Sequence, residues 1–168
     1  PGKGALTAGA DRKAPGMARG QANGLLARRH MTRIGPDLCD AWEKVEQVTI
    51  VAIEKYCIGG GGALAAACDF RIMAQGSHMR LPEIPLGMNM SWGSIPRMLA
   101  LMGPARTKQA VILASDRVSA AEALDWGLVE NVVPEGQALA ESMKFADRIA
   151  RQPPLPVPMA TPTVTPHP

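Results

Sequence analysis

Four consecutive glycines, Gly59-Gly60-Gly61-Gly62, stand between the apolar run at 49–58 and the small-residue segment Ala63-Leu64-Ala65-Ala66-Ala67-Cys68-Asp69. A strand that runs into a glycine turn and then into a helix start narrows the possible folds more than any other stretch of the chain. Glycine lets the backbone turn sharply and leaves bare N–H groups open to a ligand oxygen. The first N–H groups of the following helix have no partner within it and sit at the positive end of its dipole. Such a junction is suited to holding a negatively charged or polarised oxygen, although an ordinary tight turn satisfies the same residues.

The rest of the chain reads as one domain. Its 168 residues are 46% hydrophobic, enough to bury a single core. Aromatic residues make up only 4%, and ten methionines with many alanines predict a core of small and flexible side chains. Residues 21–47 carry a helical pattern in which Leu25, Leu26, Met31, Ile34, Leu38, Trp42 and Val45 share a face. Gly35-Pro36 predicts a break in it. Residues 49–58 fit one buried strand, and 70–73 and 79–81 two short ones. Residues 94–113 read as helix interrupted near Gly103-Pro104. Ser119 and Glu122 have capping-box spacing, opening a helix that ends near Trp126-Gly127. A closing strand follows at 128–133. Residues 136–151 make an amphipathic helix with Leu139, Met143, Phe145, Ala146 and Ile149 as its apolar positions. Prolines 153, 154, 156, 158, 162, 166 and 168 predict an extended or disordered tail over 153–168.

Charge and reactive residues exclude several functions. The net charge of +3 is too small to imply nucleic acid. Lys3, Arg12, Lys13, Arg19, Arg28, Arg29 and Arg33 nevertheless cluster before residue 35 against Asp11 alone. The cluster suits a polyanionic small molecule, a nucleic acid or an acidic partner, or else a solvated helix face, and no aromatic residues interleave for base stacking. No run has the roughly 18 apolar residues of a membrane span, and the first residues do not read as a secretory signal. Cys39, Cys57 and Cys68 form no C-x-x-C pair and read as reduced, buried thiols of a cytoplasmic protein. His30, His78 and His167 lack metal spacing, so no metal is expected, and His78 reads as structural. The glycines are not followed by Lys-Ser/Thr, which excludes a phosphate-binding P-loop, and no G-x-S-x-G elbow surrounds Ser91.

Four stretches in order carry a resemblance. They are Thr7-Ala8-Gly9-Ala10-Asp11, residues 59–69, Leu81-Pro82-Glu83-Ile84-Pro85-Leu86-Gly87, and residues 119–133 followed by Pro134. Together they resemble the crotonase superfamily of enoyl-CoA hydratases and isomerases, from about residue 4 to 157. The resemblance implies an α/β fold, a crotonase-like spiral of β-β-α units. The core would span 1–152 without the family's usual first strands, ahead of the 153–168 tail, as in a shortened member of the family.

The resemblance also assigns roles. The Ala10 and Gly60 N–H groups would form an oxyanion hole for a thioester oxygen. Glu83, in a stiff apolar setting, would be the acid/base, although on local sequence it also reads as a surface turn residue. Ala8, Ala10, Asp11, Arg12, Lys13 and Gly60 would line the CoA site, with Arg12 and Lys13 meeting phosphates. Hydratases of the family carry a second glutamate where this chain has Ala63, and some relatives an aspartate where it has Ser91. With one carboxylate left, a double-bond shift is the expected chemistry. Hydration and a non-catalytic CoA-binding or assembly subunit are the alternatives. Trp92 departs from the glycine-rich pattern of hydratases and reads as an acyl-pocket residue or as a core or contact aromatic. No cofactor is implied beyond the CoA of the substrate. The implied partners are an acyl-CoA and further copies of the chain, as trimer or hexamer, with neither nucleic acid nor membrane.

Overall fold

In the computed structural model, which describes residues 5–11, 24–113 and 117–164, the apolar run at 49–58 is two strands rather than one. β1 (Ile50–Ile53) and β2 (Tyr56–Ile58) are separated at Glu54-Lys55, where Lys55 takes a positive φ of 55°. The turn sends them into different sheets. β1 pairs in parallel with β3 (Phe70–Ala74), and β3 with β6 (Asn131–Val133). β2 pairs in parallel with β4 (His78–Arg80), which runs antiparallel to β5 (Val118–Ser119).

The chain therefore visits each sheet once and then forms a helix. β1 and β2 lead into α2 (Gly60–Ala66), and β3 and β4 lead into α3 (Ser94–Ile112). In the third passage α4 (Ala120–Asp125) intervenes between β5 and β6 before α5 (Ala138–Ala150). These are the strand-strand-helix units that the resemblance implied. Buried Ile53, Cys57, Ile72, Met73, Met79 and Met98 form the centre of the core, with alanines 63, 65 and 123 where backbones come close. Unbranched methionine fills the irregular gaps left among such small neighbours.

Helix by helix, the sequence reading needs three changes. α1 (Leu25–Glu43) runs unbroken through Pro36. It is held on both sides of that residue, because Gly35 and Cys39 are both buried against the body. Its expected apolar face instead points outward, with Leu25 and Leu26 more than 80% exposed and Ile34, Leu38, Trp42 and Val45 also exposed. The residues it buries are the small Gly35 and Cys39, while the larger ones keep much of their surface exposed. Leu139 and Met143 on α5 are likewise exposed, while Ala138 and Ser142 are buried.

The third change concerns the tail, part of which is α6 (Pro156–Val164) rather than extended chain. Pro156 and Pro158 fall in its first turn, where N–H groups have no intrahelical acceptor, so only Pro162 removes a bond. Other expectations match. α3 is kinked at Gly103 (φ 70°, ψ 174°), ahead of Pro104. Ser119 accepts from the Glu122 N–H, and the Glu122 carboxylate accepts from the Ser119 N–H at 2.9 Å.

Buried Arg71 fixes the exit of α2. Its guanidinium donates to the carbonyls of Cys68 (2.6 Å), Asp69 (3.2 Å) and Ala65 (3.4 Å) and pairs with Glu130. The Asp69 carboxylate in turn accepts from the N–H and hydroxyl of Thr49, each at 2.7 Å. Removing one partner of a buried pair strands the other charge, at about 3–5 kcal/mol. Glu130 keeps about a third of its surface exposed, so Glu130→Ala is expected to cost less, about 2–3 kcal/mol in urea unfolding. A change below about 0.5 kcal/mol, the size of an ordinary surface substitution, would contradict the anchoring role.

Candidate active site

The segment at residues 5–11 reaches the glycine turn by strand-like pairing. Leu6 N–H donates to the Glu54 carbonyl (3.1 Å), Thr7 N–H to Tyr56 (3.4 Å), and Ile58 N–H back to Thr7 (3.2 Å). Thr7 thereby lies in parallel register with Cys57. Its hydroxyl accepts from the Gly9 N–H at 3.0 Å, and its methyl occupies the space a side chain on Gly61 would need. A Cβ on Gly61 would lie 1.9 Å from that methyl.

Gly9 then turns with φ +93°, close over the junction. A Cβ placed on it would be 2.9 Å from the Ile58 carbonyl oxygen and 3.8 Å from the Gly60 amide nitrogen. Two loops distant in sequence thus meet within a few ångströms.

Gly59 supplies the sharp turn, with φ 57° and ψ −122°, a region that β-carbons disfavour. Its N–H donates to the Arg80 carbonyl (2.9 Å), and its carbonyl accepts from Gly62 (2.8 Å) and Ala63 (3.3 Å). The N–H groups of Gly60 and Gly61, the first two residues of α2, have no acceptor among the described residues. Ala10 and Gly60 border the same cavity, of about 600 Å³, which continues along Ile50, Leu64, Trp92 and Met143 and is mainly apolar.

Glu83 lies on the other side of the turn. It precedes a single 3-10 turn, Ile84–Leu86, which contains Pro85 and is closed by Gly87 in the left-handed conformation (φ 69°). The Glu83 carbonyl accepts from Leu86 and Met88, both at 3.0 Å, which fixes its backbone. Its Oε1 lies 3.0 Å from where a Cβ on Gly59 would stand. Its Oε2 is buried without a hydrogen-bond partner. Desolvation pushes this carboxyl above its ordinary range, partly opposed by a hydrogen bond from its own backbone.

The remaining expected site residues are less closely gathered. Glu83 abuts Gly59 and is not itself a wall of the cavity. Ala8 and Asp11 are exposed and lie outside its lining, whereas Arg12 and Lys13 fall outside the described residues. Ala63 is 1% exposed and packs in the core, and Ser91 faces outward. Half-buried His78 belongs to a separate hollow with Ser77 and Arg117. Desolvation, then the nearby charges of Arg117 and Arg80, hold its pKa below the ordinary value. The three cysteines are free and buried, and burial pushes the Cys57 thiol up to about 12.

Two features escaped the sequence reading. One is Thr7, whose methyl packs against Gly61 while its hydroxyl holds the Gly9 N–H of its own loop. The other is a clamp around Trp92, which has a positive φ of 60°. Arg97 donates to the Trp92 carbonyl (3.1 Å) and binds Glu43 (2.6 Å) and Asp40 (2.9 Å) of α1. The partners are more than fifty residues apart, so no local pattern could announce them. The adjacent Trp92-Gly93 pair, both left-handed, was the one available signal of an unusual turn.

Comparison with known proteins agrees with this architecture. A family model for enoyl-CoA hydratase/isomerase matches residues 3–166. The chain is 35% identical over 124 residues to the crotonyl-CoA hydratase of Syntrophomonas wolfei, covering 74% of this chain and 47% of that protein. It is 32% identical over 111 residues to the carnitinyl-CoA dehydratase of Salmonella typhi, covering 66% and 42%. Among solved structures, Pseudomonas aeruginosa DspI superposes with a TM-score of 0.85 at 34% identity, over 97% of this chain and 60% of that one. An enoyl-CoA hydratase from Bacillus anthracis gives 0.79 at 32% identity, over 84% and 55%. The chain spans about half the length of the curated relatives it matches. Its two sheets and strand-strand-helix units are the crotonase fold, and the chain belongs to the enoyl-CoA hydratase/isomerase family.

Proposed function

We propose that this chain carries the reaction centre of an acyl-CoA thioester enzyme that shifts a double bond with a single carboxyl group. The observation that supports this most is the meeting of the Gly9-Ala10 turn with the Gly60 amide, beside a desolvated Glu83. A thioester oxygen seated between the Ala10 and Gly60 N–H groups gains charge as the neighbouring carbon loses its proton. Donors fixed in place before the reaction stabilise that charge without reorganising. Glu83 takes the proton from the carbon next to the thioester of a 3-enoyl-CoA. The electron pair moves into the carbonyl as a dienolate, and the proton returns two carbons further along to give a 2-enoyl-CoA. The buried Oε2, which has no hydrogen-bond partner, would be the atom that carries the proton.

Ala8, Ala10, Asp11 and Gly60 would flank the thioester end of CoA, with Arg12 and Lys13 meeting its phosphates and no further cofactor taking part. The outward apolar face of α1 supports further copies of the chain as partners, in a trimer or hexamer. Three free, buried thiols fit a cytoplasmic setting. No described helix is long and apolar enough to cross a membrane.

Hydration is the second reading, favoured by the names of the relatives, one a crotonyl-CoA hydratase and one a carnitinyl-CoA dehydratase. Against it, Ala63 occupies the position expected of a second glutamate and Ser91 that of the aspartate some relatives carry, which leaves Glu83 as the single carboxylate of the comparison. Incubation with 3-enoyl-CoA and with 2-enoyl-CoA separates the two. Isomerisation at least tenfold faster than hydration is expected, and hydration of the 2-enoyl substrate at an equal rate would overturn the isomerase reading.

Glu83→Gln is expected to lower kcat/KM by about 10²–10⁴-fold while leaving acyl-CoA affinity nearly unchanged. Because the base must be ionised, the wild-type rate rises with pH through a limb above the ordinary carboxylate range, as the raised pKa requires. Unchanged turnover in the variant would contradict the role of Glu83, and acyl-CoA binding without turnover in the wild type would indicate a binding subunit instead.

A further inference from the structure

Trp92 is built into the cavity wall more firmly than a filler side chain requires. The pyrrole edge of its indole lies against Gly35 of α1, where a Cβ would meet Nε1 and Cε2 at 2.0 Å. The benzene edge lies against Gly60, where a Cβ would meet Cη2 at 2.6 Å and Cζ3 at 2.7 Å. The ring therefore spans the gap between α1 and α2 and needs glycine at both ends. Its backbone is held in the left-handed region, and Arg97 ties its carbonyl to Asp40 and Glu43 of α1. An aromatic fixed by its main chain, by two glycine seats and by a clamp to another helix cannot swing aside cheaply.

Its position decides what it does. The benzene edge adjoins the residue whose N–H is the proposed oxygen donor, and the same indole borders the cavity together with Ala10 and Leu64. The α and β carbons of an acyl group lie only two or three bonds from its carbonyl oxygen. A methyl branch on either carbon, directed at the indole, would overlap it, whereas an unbranched planar enoyl group can lie along the ring.

We propose that Trp92 is a specificity-determining residue that restricts the site to thioesters of unbranched acyl groups, with Arg97 as the positioning residue that holds it. This deepens the reading of the site given above and rests on it. One methyl group against a packed wall changes selectivity by about 10–200-fold.

The experiment compares 3-butenoyl-CoA with its α-methyl and β-methyl analogues as substrates. The saturated linear and branched acyl-CoAs serve as titration ligands for wild type, Trp92→Ala and Trp92→Phe. Trp92→Ala is expected to raise the branched-to-linear ratio at least tenfold in affinity and in kcat/KM, and Trp92→Phe to fall between. Arg97→Lys should loosen the same discrimination while retaining linear binding. An unchanged ratio in folded Trp92→Ala, or in Trp92→Phe should the alanine variant not fold, would overturn the proposal. A shifted affinity ratio without turnover in wild type would support the role of Trp92 while defeating the enzyme reading. Failure of wild type to bind any acyl-CoA would defeat both.

Discussion

The approach of two loops, one from residues 5–11 and one from the glycine turn, sets the conditions for the rest of the site. The approach depends on main-chain pairing of Leu6 and Thr7 with Glu54 and β2 and on the absence of side chains at Gly9 and Gly61. A single β-carbon on Gly61 would displace the Thr7 methyl and with it the Gly9-Ala10 turn. Behind the turn, α2 is short, only seven residues, and cannot hold its position by itself. Arg71 supplies that hold by binding the carbonyls at its exit and the carboxylate of Glu130. Thus a partly buried ion pair at one end of α2 supports the alignment of unpartnered N–H groups at the other.

Electrostatic roles are divided between backbone and side chain in a way that suits thioester chemistry. The proposed donors are amides, which carry no net charge and do not titrate. The proposed acid/base, Glu83, is kept in a desolvated place between Pro82 and a proline-stiffened turn. Its buried, unpartnered oxygen is a local cost to folding, of the kind a functional position retains. Burial pushes the Cys57 and Cys68 thiols above their ordinary range, which favours their protonated form.

Much of this was legible in the linear sequence because it is local. The strand-glycine-helix junction, the Gly103-Pro104 kink and the Ser119-Glu122 capping box all depend on neighbours within a few residues. The division of residues 49–58 between two sheets was not, since nothing in Glu54-Lys55 signals a left-handed lysine. The unbroken α1 and its outward leucines were also hidden. Apolar spacing tells that a face exists, but only the packing partner decides which face is covered. The helix at 156–164 shows the opposite error, in which prolines that fit a first turn were read as helix breakers. In the site, the motif order brought Ala10, Gly60 and Glu83 into view. Thr7 and the Arg97 clamp depend on contacts across fifty residues and leave no pattern to read.

The account requires that a bound thioester oxygen receive two N–H groups at once, and its carbonyl stretch reports on that directly. An acyl-CoA isotope-labelled at the thioester carbonyl, followed by difference infrared spectroscopy on binding, should show the band moved to lower frequency than in water. The cause would be fixed donors polarising the C=O more strongly than mobile solvent does. A band at or above the frequency found in an apolar solvent would mean that the oxygen meets no such donors, and would contradict the account.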